Sequence, residues 1–445
     1  MPKFIHSRYI AILVAVIIYA AAPVSQSRKE KEKMCQIPLE PTPLETILSG
    51  TEPVTITSST IEEEELKTAK PSDDDRRFRR PFANDALNSR ISFVWPEDQA
   101  RILWQAPLDP KRGPAGLLSF SEERILVWQS GWWQLFGSDG KQLESGQSRY
   151  GDPVIHPSGT CFFLIERDGA LACYLLSTGS AAYFISLPLG NLFYWPWIAF
   201  HEQKAALLGI MQNPSIHDPG SPPPFSRIDI LEMDKRPPLD KNLDVTSFVS
   251  CRSFSVDQAP TLAATFQGQI FLAHQDALYI LDWNGTVHHY LKGNFMPQAM
   301  SVDEAMRMHL IVADDEGNSS LWIVTAQGRR IREVRLPEGM YAPPIISYDH
   351  HVYCTTQERI IAINPKGEVA WAKSPWSPFG GVLTMADGRL LVSEGCAVTA
   401  WDVEGERNVI YAFQGEEVTS QPLLVAPGEL YVATRSHLYR LGLKK

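Results

Sequence analysis

A unit of two β-strands joined by a glycine-containing turn recurs along most of this chain, and this repeat constrains the fold more than any other feature. Its copies carry turn glycines at Gly140, Gly179, Gly285, Gly328, Gly367 and Gly405. Neighbouring copies lie about 40 residues apart, which is the period of a four-stranded propeller blade. One more copy is needed between Gly179 and Gly285, and the segment around Asp234 supplies it without the glycine.

A second series of turns supports the same count. Eight turns, each preceding one copy of the unit, contain the strings FSEER, HPSG, FHEQK, FQGQ, VDEA, YDHH, MADG and APGE. The apolar segments beside them alternate and are rich in β-branched residues, as strands are. We predict an all-β fold over residues 90–445, an eight-bladed β-propeller of four-stranded antiparallel blades. Seven blades are the alternative if the copy around Asp234 is irregular.

The two ends of the repeat region predict how the ring closes. The final segment SHLYRLGLKK matches the third strand of a blade, and no return strand follows it. Residues 101–108, with the sequence RILWQAPL, match the outer strand of the blade that contains GEVAWAKS. We therefore expect this N-terminal strand to complete the last blade, which removes the open sheet edges of the ring.

The copy at residues 362–371 resembles the quinoprotein, or PQQ-like, β-propeller repeat family. Repeats of that family run from an Ala through an acidic or amide residue and a Gly turn to a docking Trp. The matching residues are Ala362, Asn364, Gly367 and Trp371 in this copy, and Ala400, Asp402 and Gly405 in the next. The resemblance extends over residues 90–445 and implies a fold, while a shared fold alone does not imply a function.

The family contains quinone-dependent dehydrogenases and non-catalytic scaffolds, the latter including outer-membrane assembly propeller proteins. The dehydrogenases carry adjacent cysteines, a calcium-binding acidic cluster and often a C-x-x-C-H haem motif, and none of these strings occurs in this sequence. The resemblance therefore favours a non-catalytic scaffold without a cofactor, which binds protein partners in the bacterial cell envelope. The alternative is a propeller that binds a small ligand, either a dehydrogenase-like enzyme or a sugar sensor.

The N-terminal region differs from the repeats. Lys3 and Arg8 precede an apolar run at residues 9–24, which predicts a signal anchor or signal peptide over residues 1–27. Pro23 follows the small residues of a possible cleavage site and disfavours cleavage, so we expect an inner-membrane anchor with the propeller on the periplasmic face. Cleavage and release into the periplasm is the alternative. Residues 28–89 are poor in apolar residues and blocky in charge, which predicts a disordered tether.

The charge balance argues against one class of partner. The chain has 41 basic and 51 acidic residues and a formal net charge of -10. This balance gives no general electrostatic footprint for nucleic acid, so we expect none to bind.

Aromatic residues concentrate in the segments that join one blade to the next. In a propeller these segments share one face with the loops between second and third strands, and rigid rings there suit a protein contact because they bury area at small entropic cost. The predicted partner-binding residues are Tyr194, Trp195, Trp197, Phe295, Tyr341, Trp376 and Phe379. The alternative is that these rings plug the funnel and pack between the blades.

Cysteine and histidine positions give two further expectations. Cys161 and Cys173 are equidistant from residue 167, so a simple hairpin would place them opposite each other, either as a disulfide or as buried unpaired thiols. The His-His pairs at residues 288–289 and 350–351 point to opposite faces of a strand and cannot easily chelate, so we expect no metal site.

Overall fold

The computed structural model of the chain describes most of residues 99–443, and before residue 99 only three two-residue strands. Between residues 150 and 256 it describes the strands and not the loops between them. From residue 262 to 443 the gaps are residues 315, 338, 340, 348, 357, 376–378 and 386–388, and two earlier gaps fall at residues 122–123 and 148–149. The expected anchor at residues 1–27 and most of the expected tether at residues 28–89 lie outside the described residues. Within the described part, no helix is long and apolar enough to cross a membrane.

The first half of the chain forms three short strands, one longer strand and four blades. The strands that precede blade one are β1 (Thr42–Pro43), β2 (Val54–Thr55), β3 (Arg90–Ile91) and β4 (Ala100–Pro107). A 3-10 helix at Pro110–Arg112 follows them. Blade one contains β5 (Gly116–Ser121), β6 (Arg124–Gln129), β7 (Trp132–Gly137) and β8 (Gln142–Gln147). Blade two contains β9 (Tyr150–Ile155), β10 (Cys161–Ile165), β11 (Leu171–Leu175) and β12 (Ala181–Ile185). Blade three contains β13 (Phe193–His201), β14 (Lys204–Met211), β15 (Phe225–Met233) and β16 (Phe248–Val256). Blade four contains β17 (Leu262–Phe266), β18 (Gln269–His274), β19 (Ala277–Asp282) and β20 (Val287–Lys292).

The second half of the chain forms the other four blades. Blade five contains β21 (Met296–Val302), β22 (Met308–Ala313), β23 (Ser319–Val324) and β24 (Arg330–Leu336). Blade six contains β25 (Ile345–Ile346), β26 (Val352–Thr355), β27 (Ile360–Ile363) and β28 (Val369–Lys373). Blade seven contains β29 (Phe379–Met385), β30 (Leu390–Glu394), β31 (Ala397–Trp401) and β32 (Arg407–Ala412). Blade eight contains β33 (Leu423–Ala426), β34 (Glu429–Ala433) and β35 (His437–Leu443), together with β4.

These eight antiparallel sheets form a ring, which confirms the predicted eight-bladed propeller. Blade three has all four strands, so the seven-bladed alternative is wrong. The predicted closure is also confirmed, because β4 pairs antiparallel with β35 from His437 opposite Pro107 to Leu443 opposite Ala100. The innermost strand of blade eight, β33, contacts β5 of blade one, so the ring is continuous across this junction.

The hydrophobic core lies between the blades, because each strand buries alternate residues against one neighbouring blade or the other. One cluster joins Leu278 and Leu291 of blade four to Met300 and Leu310 of blade five. Another joins Val398 and Ile410 of blade seven to residues of blade eight. Within the described residues such clusters occupy seven of the blade junctions, and burial of this apolar area holds the ring together.

The turn between the third and fourth strands has the same local contacts in blades four, six and seven. In blade seven the N–H of Gly405, at a φ of 76°, donates to the carbonyl of Asp402. The carboxylate of Asp402 accepts from the N–H groups of Glu404 and Glu406, at 3.1 and 2.7 Å. This explains the acidic or amide residue and the glycine of the repeat, since one satisfies turn donors and the other adopts the left-handed backbone.

The tryptophan of the repeat joins one blade to the turn of the next. Trp371 in β28 donates from its indole N–H to the carbonyl of Val403, 2.7 Å away, and a Cβ at position 405 would lie 2.9 Å from two of its ring atoms. Trp104 in the closing strand β4 repeats the contact, donating to the carbonyl of Ser138 at 2.7 Å. The glycine is therefore needed for close approach of the ring as well as for the backbone.

A different side chain makes this contact where the tryptophan is missing. Arg332 of blade five packs its aliphatic stem over Gly367 of blade six, and its guanidinium donates to the carbonyl of Pro365. The guanidinium of Arg332 thus donates to the equivalent turn carbonyl, and its aliphatic stem packs over the glycine, as the indole of Trp371 does in the next junction.

The cysteine expectation needs a correction. The hairpin of β10 and β11 places Cys161 opposite Leu175, and Cys173 opposite Phe163, so the two cysteines are not a facing pair. The actual register is two residues away from the expected one, because the turn is centred one residue later in the chain. Both side chains are buried thiols, and the predicted facing arrangement is wrong.

Candidate partner-binding face

One face of the ring carries the connections between blades and the turns between second and third strands; we call it the rim face. The topology of every blade places these two kinds of segment at the same end of the strands. The repeated glycine turns, such as that of Gly405, lie at the opposite end. Of the predicted partner-binding residues, Tyr194, Trp195, Phe295, Tyr341 and Phe379 lie at the rim-face end of their blades, and Trp197 lies at the middle of β13.

Two of the predicted residues are buried between blades. Phe295 is 3% exposed and meets Trp322 edge-on at 5.2 Å, and Tyr341 is 7% exposed. The hydroxyl of Tyr341 donates to the carbonyl of Pro337 at 2.6 Å, and burial raises its pKa to about 12. For these two side chains the packing alternative describes the structure, and they offer a partner little area.

The other predicted residues lie on β13 and β29 or outside the described part. Trp197 is half-buried and packs against the cluster between blades three and four. Tyr194 and Trp195 belong to β13 and Phe379 to β29, whose backbones alone are described at these positions. Trp376 lies outside the described residues. Their role as partner-binding residues stays a prediction.

A stacked pair that the sequence analysis missed lies on the rim face of blade one. The guanidinium of Arg112, in the connection from blade eight, lies 4.7 Å from the ring centre of Trp132, which begins β7. Asp109 positions this arginine through an ion pair of 3.2 Å, and the amide of Gln129 donates to the carbonyl of Gly113 at 2.9 Å. The stack is only half-buried, so an arginine and a tryptophan are held in place and still face solvent. The signal in the sequence was the string SGWWQ after a strand, of which Trp133 is buried and Trp132 is not.

Met296 adds an exposed apolar side chain at another point of the rim face. It begins β21, the innermost strand of blade five, and is 53% exposed. Other large exposed apolar residues of the described part lie on outermost strands, away from this face. Met296 therefore gives the rim-face end of this innermost strand an exposed apolar side chain.

Polar groups on the rim face between blades seven and eight form a self-contained network. The carboxylate of Glu416 accepts from the hydroxyls of Thr434 and Tyr439 and pairs with His437 at 3.2 Å. Burial alone would raise the pKa of Glu416, but these hydrogen bonds and the charge of His437 lower it. Since the carboxylate is already engaged, the network ties the connection after blade seven to blade eight rather than presenting a charge to a ligand.

A buried acid and base lie at the opposite end of blade five. Asp303 accepts from Arg307 Nε at 2.6 Å and from His309 Nε2 at 3.0 Å, and it also accepts from the backbone of the turn. Burial alone would raise the pKa of Asp303, but the hydrogen bond with His309 and the charges of His309 and Arg307 hold it well below its usual range. Asp303 and His309 are 3% and 2% exposed, so this group fixes the turn and has no access to a substrate.

No metal-binding group emerges from the described residues, since no three His, Cys, Asp or Glu side chains there are arranged to hold an ion.

Comparisons with known proteins locate the fold but not a family. No protein-family model and no curated protein matches the chain. Among solved structures, BamB from Moraxella catarrhalis is similar with 13% sequence identity and a TM-score of 0.52, over 77% of this chain and 100% of that chain. The Dos1 propeller is similar with 8% identity and a TM-score of 0.55, over 77% and 95%. A europium-containing methanol dehydrogenase is similar with 8% identity and a TM-score of 0.54, over 83% and 98%.

These identities are low enough that the similarity concerns the fold alone. The similar structures include both BamB and a methanol dehydrogenase. The similarity therefore does not assign an enzymatic activity to this chain. The chain has the fold of an eight-bladed β-propeller.

Proposed function

We propose that this protein is a membrane-anchored, extracytoplasmic propeller that binds protein partners through its rim face and catalyses no reaction. The observation that carries the proposal is the half-exposed stack of Arg112 on Trp132. Arginine and tryptophan are the residue types that most often dominate binding energy at protein interfaces, above all where they are pre-positioned. The Asp109 ion pair supplies that positioning here.

The contrast between apolar and polar groups supports a protein contact. Met296 is exposed on the same face, whereas the carboxylate of Glu416 on that face is engaged with neighbouring side chains. Exposed large side chains that are held in place suit a partner that buries area. Resemblance of the repeats to outer-membrane assembly propellers, together with the similarity to BamB, favours an envelope protein as that partner.

A second candidate function is binding of a small ligand in the central channel, as a dehydrogenase-like enzyme or a sensor. It is favoured by the similarity to the methanol dehydrogenase and by two glutamines near the channel mouth. Gln298 lies on the innermost strand of blade five and Gln421 just before that of blade eight, and each has a buried side-chain oxygen without a hydrogen-bond partner in the described part. A polar ligand that bound there would have to donate hydrogen bonds, because these amide oxygens can only accept them.

The test compares partner capture from crosslinked membranes by the native chain and by three variants. The first is Arg112→Ala with Trp132→Ala, the second is Trp195→Ala with Trp376→Ala, and the control is Leu143→Ala, an exposed side chain on outermost strand β8. We expect a discrete envelope protein with the native chain and the control, and at least a tenfold loss with the first variant. Undiminished capture by both rim variants would refute the proposal, and a thermal-shift response to quinones or sugars without any capture would favour the second candidate.

A further inference from the structure

Two short strands from the N-terminal region extend neighbouring blades at their outer edges. β1 pairs parallel with β16 of blade three, with Thr42 opposite Phe254 and Pro43 opposite Ser255. β2 pairs parallel with β20 of blade four, with Val54 opposite Leu291 and Thr55 opposite Lys292. Both therefore lie within the region that the sequence predicts to be a disordered tether.

The two pairings repeat one geometry. In each case the partner is the outermost strand of the blade, the pairing is parallel, and it lies within the last three residues of that strand. The chain between Pro43 and Val54 is about 11 residues long and can span up to about 36 Å, which allows it to run from one blade edge to the next. Repetition in consecutive blades indicates a docking mode rather than two unrelated contacts.

The residue types suit an outermost strand. Pro43 has no N–H to donate, and within sheets proline is confined to edges where no further strand must be paired. An open outer edge is otherwise a template for pairing with another chain, so its own segment would protect it. Each two-residue pairing supplies few hydrogen bonds, but a short linker makes docking of the second strand intramolecular once the first is bound.

We propose that β1 (Thr42–Pro43) and β2 (Val54–Thr55) together act as a belt, which docks on the outer edges of blades three and four and fixes the point where the tether leaves the propeller. This inference rests on the proposed membrane anchoring for its functional consequence. The free tether would then be residues 28–41 rather than residues 28–89. Fully extended, the shorter segment reaches about 50 Å and the longer one about 200 Å. The belt thus restricts the volume of the envelope in which the rim face can meet a partner.

The test is disulfide trapping in the full-length chain after Cys35, Cys251 and Cys396 are changed to Ser. The reporting pair is Thr55→Cys with Lys292→Cys, two positions that are opposite each other in the register. The matched control is Thr55→Cys with Arg335→Cys, because Arg335 is exposed near the same end of the outermost strand of blade five. We expect the reporting pair to crosslink under mild oxidation at least tenfold faster than the control.

Equal crosslinking rates for the two pairs would overturn the belt. Hydrogen exchange gives an independent measurement, since Thr55→Pro should accelerate exchange at the end of β20 and leave β24 unchanged. Membrane fractionation of the same variants separates this inference from the proposed function. Loss of the crosslink in a chain that still sediments with membranes refutes the belt alone, whereas a chain that crosslinks but is released from membranes refutes the anchoring alone.

Discussion

The contact between Trp371 and the turn of Gly405 offers a test of what holds neighbouring blades together. In Gly405→Ala the new Cβ would lie 2.9 Å from ring atoms Cδ2 and Cε2 of Trp371, and 3.1 Å from Cδ of Lys373. The ring must then move, which strains the packing by about 1–3 kcal/mol. Movement also weakens the hydrogen bond from the indole to Val403, worth about 0.5–1.5 kcal/mol.

Gly415 provides a matched control for the backbone. It has the same φ of 76°, but a Cβ there would meet nothing within 4 Å. Gly415→Ala therefore reports the cost of placing alanine in the left-handed region, about 1–2 kcal/mol. We expect Gly405→Ala to reduce the free energy of unfolding by roughly 2–4 kcal/mol more than Gly415→Ala does.

The assay is urea unfolding followed by circular dichroism, repeated in a Trp371→Ala background. If the ring contact is the cause, the extra loss from Gly405→Ala disappears when the ring is absent. Equal losses from the two glycine substitutions, or an extra loss that persists without the ring, would refute the reasoning.

Three further predictions concern stability, closure and reactivity. Asp303→Asn should lower the free energy of unfolding by roughly 3–5 kcal/mol at pH 7. The folded-state pKa of Asp303 is lowered, so the carboxylate stabilises the fold fully above the unfolded-state pKa of about 4 and less as the pH falls below that value. Urea unfolding should therefore show a smaller loss of stability from Asp303→Asn at pH 3 than at pH 7. An equal loss of stability at both pH values would contradict this. Removal of residues 1–107, which include β4, should leave the last blade open and cause more aggregation in light scattering than removal of residues 1–98, which keeps β4; equal behaviour of the two truncations would count against the closure. Alkylation of the native chain should modify Cys396, which is exposed, well before Cys354, whose burial raises its thiol pKa; mass spectrometry that finds Cys354 modified first would contradict this.

The architecture could be predicted because the repeat depends on local interactions. Glycine at the left-handed position of a turn and alternating apolar residues depend on a few neighbours in sequence, so Gly285, Gly367 and Gly405 mark blades without any knowledge of the ring. The closing strand was also predictable, because Trp104 occupies the position in its segment that Trp371 occupies in its own.

The site could be predicted less well because exposure depends on neighbouring blades. Phe295 and Tyr341 have the composition of a binding rim, yet packing against Trp322 and the blade junctions buries them. The stack of Arg112 on Trp132 joins a connection to a strand, and a single sequence does not reveal which of two adjacent tryptophans turns outward. The pairing of the cysteines depends on the register of β10 against β11. A shift of the hairpin centre by one residue moves each cysteine two residues away from the other in that register.

Closure of the ring by β4 has a consequence for biosynthesis. β4 is among the first parts of the propeller to leave the ribosome, and its partner β35 is among the last. A contact at the same junction shows the separation in sequence: Arg440 of β35 donates to the carbonyl of Ser138, 302 residues earlier in the chain. At translation rates of about 5–20 residues per second, β4 waits roughly 15–60 s for its partner. During that interval its edge and Ile102 and Leu103, which stay partly exposed even in the finished ring, are available to other chains. The strand that seals the native protein is thus also the segment for which a chaperone would be most useful while the chain is being made.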